Sequence, residues 1–215
     1  MKTLRFACAI LAFFAFCALA VKVRADQHQL PAFGRDTVLV WKTEVQELTA
    51  EFVVRIAEFL PDRYLEWEDE KTQGTVFMTS HDILSARGFV NTTLFKSGAD
   101  TRGKEATTLW LSRQIFRELK EKGKVKCDLD EVPGLLKYLG EDQISVEVNR
   151  SSMSLPVIKV SDDRGSERWF LDQEDNPLLL KHTVRKFTQV LTSITTDRPN
   201  TLRWIKGRKL SNLPQ

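Results

Sequence analysis

Residues 144–194 read ISVEVNRSSM SLPVIKVSDD RGSERWFLDQ EDNPLLLKHT VRKFTQVLTS I. Ile144, Val146 and Val148 recur at every second position, the period of a strand with one buried face. Apolar-rich runs follow at 155–160, 168–171, 178–181 and 187–194. The segments between them, 149–152, 162–165 and 172–177, are rich in Asn, Ser, Asp, Gly and Pro, which favour turns. Strands this closely spaced, with no helical pattern between them, imply an antiparallel meander and exclude a doubly wound parallel sheet.

Working back from this region, Val125, Cys127 and Leu129 alternate in the same way. Before them lies the clearest helical pattern, with Ser112 as N-cap, Ile115, Phe116 and Leu119 on one face, and Gly123 after a charged last turn. Thr107 to Leu111 and Phe89 to Phe95 read as extended, separated by a polar loop over 96–105. Ser80 is expected to cap a short helix carrying Ile83 and Leu84 and closed by Gly88. Further back, Phe52, Val54 and Ile56 alternate, and Pro61 separates them from extended segments at 64–67 and 75–79.

The expected fold class is α+β: a curved antiparallel, half-barrel-like sheet with one main helix, residues 112–122, packed on its concave face. No repeat or Gly/Ser linker divides the chain, so one domain is expected over 38–197, after a flexible leader at 26–37 and before a basic tail at 198–215.

Lys2 and Arg5 precede an uncharged apolar run from Phe6 to Val21 and then small residues around Ala20 and Ala25, the order of a secretory signal peptide over residues 1–25. The alternative is an N-terminal membrane anchor, although sixteen uncharged residues are short of the roughly 20 that a spanning helix needs. Cys8 and Cys17 fall in this segment, leaving Cys127 as a buried thiol without a disulfide partner. The same segment holds four of the 32 basic residues and none of the 29 acidic ones, leaving 28 against 29, a net charge of −1. Such a balance gives no electrostatic footprint for nucleic acid.

Motifs that carry chemistry are sparse. Residues 98–104 have P-loop spacing, but Glu105 stands where the motif needs a hydroxyl for magnesium. Asp100-Thr101 resembles the start of an aspartic-protease triplet, but Arg102 interrupts it and no second copy exists. Ser112 with His81 or His182 and with Asp82 forms the one candidate hydrolytic set, without the glycines of a nucleophile elbow. The histidines and Cys127 show no zinc spacing, and Asp172, Glu174 and Asn176 read as an acidic turn followed by Pro177, so no metal or other cofactor is expected. Asn91-Thr92-Thr93 and Asn149-Arg150-Ser151 are acceptor triplets for glycosylation.

The stretches at 146–149, 155–158, 169–172 and 176–181 resemble uncharacterised exported bacterial proteins. The strand series over residues 50–196 is similar to the half-barrels of the lipoprotein-carrier superfamily. This resemblance implies a sheet curled around a helix, with an apolar concavity able to hold acyl chains. The expectation is therefore an exported, non-enzymatic protein, periplasmic or extracellular, that binds a lipid or other apolar ligand. Its candidate wall comprises Phe52, Val54, Ile56, Trp67, Phe77, Phe89, Trp110 and Trp169. The alternatives are an adaptor that binds an envelope protein and a secreted serine-type hydrolase. Arg203, Trp204, Lys206, Arg208 and Lys209 in the tail form a candidate contact for an anionic membrane surface or a partner.

Overall fold

The computed structural model describes residue 30, residues 32–91 and residues 93–196. The export signal expected at residues 1–25 and the tail residues Arg203, Trp204, Lys206, Arg208 and Lys209 lie outside the described residues. No helix among the described residues is long and apolar enough to cross a membrane.

Thirteen strands and two short helices are described: β1 (Val38–Val45), β2 (Leu48–Glu58), β3 (Arg63–Glu68), β4 (Gln73–Met78), α1 (Ser80–Ser85), β5 (Gly88–Phe89), β6 (Asp100–Arg102), β7 (Ala106–Thr107), α2 (Arg113–Lys122), β8 (Lys124–Leu129), β9 (Val132–Val148), β10 (Ser151–Asp162), β11 (Glu167–Leu171), β12 (Leu179–Val184) and β13 (Phe187–Thr195). They form one sheet in the order β6-β4-β3-β2-β1-β13-β12-β11-β10-β9-β8-β5-β7. The meander expected from residues 144–194 is present as antiparallel β9 to β13.

The sheet is mixed, which corrects the purely antiparallel expectation. β4–β6, β5–β7 and β5–β8 are parallel, and β13 pairs in parallel with β9 through Ser193 and Ile194. Because β13 also pairs with β12, this last contact closes a hydrogen-bonded ring from β9 through β13. Closure satisfies strand edges that an open meander would leave unpaired.

Local chemistry explains the tight connections. The β8–β9 and β9–β10 links are two-residue turns with positive φ at both positions, Asp130 and Glu131 (50° and 67°) and Asn149 and Arg150 (48° and 69°). This backbone twist matches that of the flanking strands, and Asn and Asp tolerate it best among residues with side chains. Ser112 caps α2 as expected, accepting the Ile115 N–H, and Gly123 ends it at φ 70°.

Four local expectations change. α1 is capped by Thr79 in a reciprocal box with Asp82, not by Ser80, because the carboxylate three residues beyond Thr79 returns to its N–H. That helix ends at Ser85, and Gly88 belongs to β5. The extended segments expected at 89–95 and 107–111 shrink to two-residue strands, the second where Leu109 turns the chain at φ 58°. The polar loop over 96–105 contributes β6 to the edge of β4. β1 carried no alternation signal, yet it is central, paired with β2 on one side and β13 on the other.

α2 buries Ile115, Phe116 and Leu119 against Phe89, Val125, Cys127, Leu129, Leu136, Ile158, Val160, Phe170 and Leu179. Cys127 is 5% exposed, and burial pushes its thiol up to about 11, so it remains protonated and unreactive at neutral pH.

Candidate ligand-binding cavity

The registers of β1, β2 and β3 place Leu39 and Trp41, Phe52, Val54 and Ile56, and Leu65 and Trp67 on one face of the sheet. Toward the outer ends of β1 and β2 that face changes character. Val54, Ile56 and Leu65 are completely buried, whereas Phe52 is only half-buried and beyond it stand Ala50 and Thr43. The inner face is packed core at one end and a cavity of about 570 Å³ at the other.

Aromatic side chains build the cavity wall. Phe52 stands 6.0 Å from the Trp67 ring and 4.9 Å edge-on from Phe95, and Phe95 meets Trp67 edge-on at 5.5 Å. Gly74 allows this arrangement: a Cβ there would come within 2.9 Å of both Trp67 Nε1 and the Lys96 carbonyl oxygen. Across the cavity Val184, Phe187 and Gln189 are contributed by β12 and β13, and Leu109 by the turn before α2. Asp130 Oδ1 accepts the Asn91 N–H at 2.7 Å, which fixes the loop that brings Phe95 over the sheet. The volume falls within the range of about 300–1,000 Å³ usual for small-molecule sites.

His182 lines the same cavity, 6% exposed, with its ring edge-on to Phe187 at 5.4 Å and no hydrogen-bond partner for Nε2. Burial, aided by Arg168 and opposed by Asp162, brings its pKa down to about 4. The folded protein therefore keeps this imidazole neutral where an unfolded chain, with a pKa near 6.5, takes up a proton. Stability is unaffected by this group above pH 6.5 and falls by about 1 kcal/mol per pH unit between 6.5 and 4. Urea midpoints at pH 7 and pH 5 test this, and the extra loss at pH 5 is expected to vanish in His182→Gln.

Of the eight residues expected to form the wall, Phe52 and Trp67 line the cavity. Val54 and Ile56 continue the same face as fully buried core. Phe89 packs edge-on against Phe170 beneath α2. Phe77 lies under the Arg102 guanidinium, and Trp169 lies between Lys159 and Lys181, with its Nε1 donating to Asp142. Trp110 donates to Asn176 and packs on Arg63. Phe95, Leu109, Phe187 and His182 were missed as wall residues. Phe95 and Leu109 sit in irregular backbone without a period, and Phe187 and His182 reach the site only through the strand register.

Arg63 is the least compensated charge among the described residues. Its side chain is 1% exposed, held between the Phe59 ring at 4.6 Å and the Trp110 ring at 4.4 Å, while Nε and Nη2 have no acceptor. Burial, with Arg113 nearby, lowers its pKa to about 9. Desolvating an unpaired guanidinium costs more than two cation–π contacts return. Arg63→Met is expected to be neutral or stabilising by up to about 2 kcal/mol. A fall in the urea midpoint would show that the aromatic sandwich outweighs the desolvation.

Of the candidate hydrolytic residues, His182 lines the cavity, and Ser112, His81 and Asp82 are each engaged elsewhere. Ser112 Oγ donates to the Ala86 carbonyl at 2.7 Å and accepts the Ile115 N–H at 3.2 Å. His81 pairs with Ser85, and Asp82 accepts the N–H groups of Thr79 and Glu105. Asp172 and Glu174 pair with Lys120 and Arg117, and Asn176 holds the Trp110 indole. A second hollow, about 490 Å³, lies between residues 33–35 and 57–60. Arg35 and Glu58, its ionisable residues, are opposite in sign and give it no charge preference.

No family model, no curated protein and no solved structure matches the chain.

Proposed function

We propose that this chain is an exported, non-enzymatic binding protein whose cavity between β1–β3, β12–β13 and the 91–95 loop takes a lipid-like or other apolar ligand. The observation that carries this reading is the hollow itself. A sheet face fully packed at Val54, Ile56 and Leu65 gives way to the half-buried rings of Phe52, Phe95 and Phe187 around about 570 Å³. The accessible parts of the Phe52, Phe95 and Phe187 rings face water unless something covers them, so an apolar occupant gains their burial. The mixed sheet with α2 packed on its inner side is compatible with the half-barrel architecture expected from the strand series. The N-terminal charge and hydropathy pattern supports export to the periplasm or the exterior.

Native mass spectrometry of the mature protein purified from its own host tests the proposal. A retained lipid-sized mass, lost on Ala50→Trp substitution, is the expected result. A stoichiometric protein in its place would select the envelope-adaptor reading. A clean apo mass, with no uptake of decanol by the purified protein, would overturn the ligand-binding reading.

A further inference from the structure

We infer that the ligand of this cavity carries an uncharged hydrogen-bonding end, a hydroxyl or primary amide, seated against Thr43, Gln189 and His182. The inference rests on the binding reading above and adds the chemical class of ligand. The strand registers put these three side chains in one row across the sheet, Thr43 opposite Gln189 on β1 and β13, and Gln189 opposite His182 on β13 and β12. Residues directly opposite in an antiparallel pair share a face, and all three line the cavity. On one side the row is bounded by the completely buried Trp41 and Leu191, and on the other by Phe187 and Val184 next to the β12–β13 turn. It therefore lies nearer the packed core than Phe187 does.

His182 is the buried member of the row, 6% exposed, and neither of its ring nitrogens has a hydrogen-bond partner among the described residues. Thr43 and Gln189 are half-buried, and neither side chain makes a hydrogen bond among the described residues. A buried polar atom left unpaired is costly, so a ligand group that pairs with this row recovers that cost. Imidazole, amide and hydroxyl together offer donors and acceptors, which a hydroxyl or an amide can match in either tautomer of the ring. An ionised end finds no counter-charge here. Arg168, opposite His182 on β11, is held by Asp162 at 2.9 Å with both side chains almost fully buried. Asp130, outside the row, accepts the Asn91 N–H, and His182 is itself neutral at pH 7. Desolvating a carboxylate or an ammonium against this row would go uncompensated. The apolar body of the ligand then rests on Phe52, Trp67, Phe95 and Leu109.

Tryptophan fluorescence titrations of the purified protein with octanol and 1-chlorooctane test the inference, since the probes match in length and only the hydroxyl donates a hydrogen bond. Gln189→Leu and His182→Phe are each expected to weaken octanol binding by about threefold to tenfold while leaving 1-chlorooctane unchanged or tighter. Gln189 is half-buried, so its variant tests the row even where His182→Phe disturbs folding. At pH 7 octanoate and octylammonium should both bind more weakly than octanol. Octanol and 1-chlorooctane affinities that move together, or not at all, in Gln189→Leu would overturn the hydrogen-bonding end while leaving the apolar cavity in place. Tighter binding of either ion than of octanol would do the same. Failure of both neutral probes to bind would overturn both readings.

Discussion

Replacing Asp162 by Asn is expected to cost about 3–5 kcal/mol of folding stability. Asp162 and Arg168 form an ion pair at 2.9 Å with side chains only 2% and 3% exposed. The same carboxylate accepts the N–H groups of Arg164 and Ser166, each at 2.9 Å, and so shapes the β10–β11 turn. Burial works to raise the pKa of Asp162, but Arg168 and these N–H donors hold it below the usual carboxylate value. Its contribution is present above the unfolded carboxylate range and is lost as the pH falls through the lower folded value. The Asn variant leaves the Arg168 guanidinium buried without its counter-charge, and that stranded charge accounts for most of the cost.

Urea unfolding measures this directly. Asp162→Asn combined with Arg168→Met should recover much of the loss, because no buried charge then remains. A comparison with Glu44→Ala fixes the scale, since the Lys42–Glu44 pair is about half exposed at both partners and should change stability by less than about 1 kcal/mol. Equal effects for Asp162 and Glu44 would mean that water reaches the β10–β11 turn.

Phe170→Ala is expected to cost about 3–5 kcal/mol while leaving ligand affinity unchanged. Phe170 is completely buried, edge-on to Phe89 at 5.4 Å, in the cluster that receives Ile115, Phe116 and Leu119 of α2. Truncation removes the ring and leaves a void that the closed ring of strands β9 to β13 resists collapsing. Phe170 does not line the cavity, so its loss separates stability from binding. Phe52→Ala should show the opposite division. It removes a half-buried ring from the wall, weakening decanol binding severalfold with a smaller stability loss. If Phe170→Ala weakened decanol binding as much as Phe52→Ala does, the α2 core and the cavity would be one mechanical unit.

The helix at Ser112 and the meander after residue 144 were legible because their signals are local. Ser112, Gly123 and the 3.6-residue spacing of Ile115 and Leu119 act within one turn, and Asn149 and Gly165 mark bends at their own positions. The first strand was not legible. Val38 to Trp41 is an unbroken apolar run followed by polar residues, a pattern that fits a central strand only once its two neighbours are known. Of the cavity wall, the alternation of Phe52 and the extended pattern around Trp67 marked them as inward-facing, but the same alternation marked Val54 and Ile56, which the structure uses as core.

By itself the sequence determined the strand-rich class, the capped helix, the turn positions and the near-neutral charge left after residues 1–25, since each depends on residue chemistry over a few neighbouring positions. Tertiary structure alone decided which inward-facing residues are core and which line a hollow, because that depends on how far opposing strands and the 91–95 loop stand apart. It also decided the parallel β9–β13 contact and the joining of Phe52, Phe95 and Phe187 around one cavity. Those residues are separated by tens of positions in the chain, and only the sheet register and the folded loops bring them together.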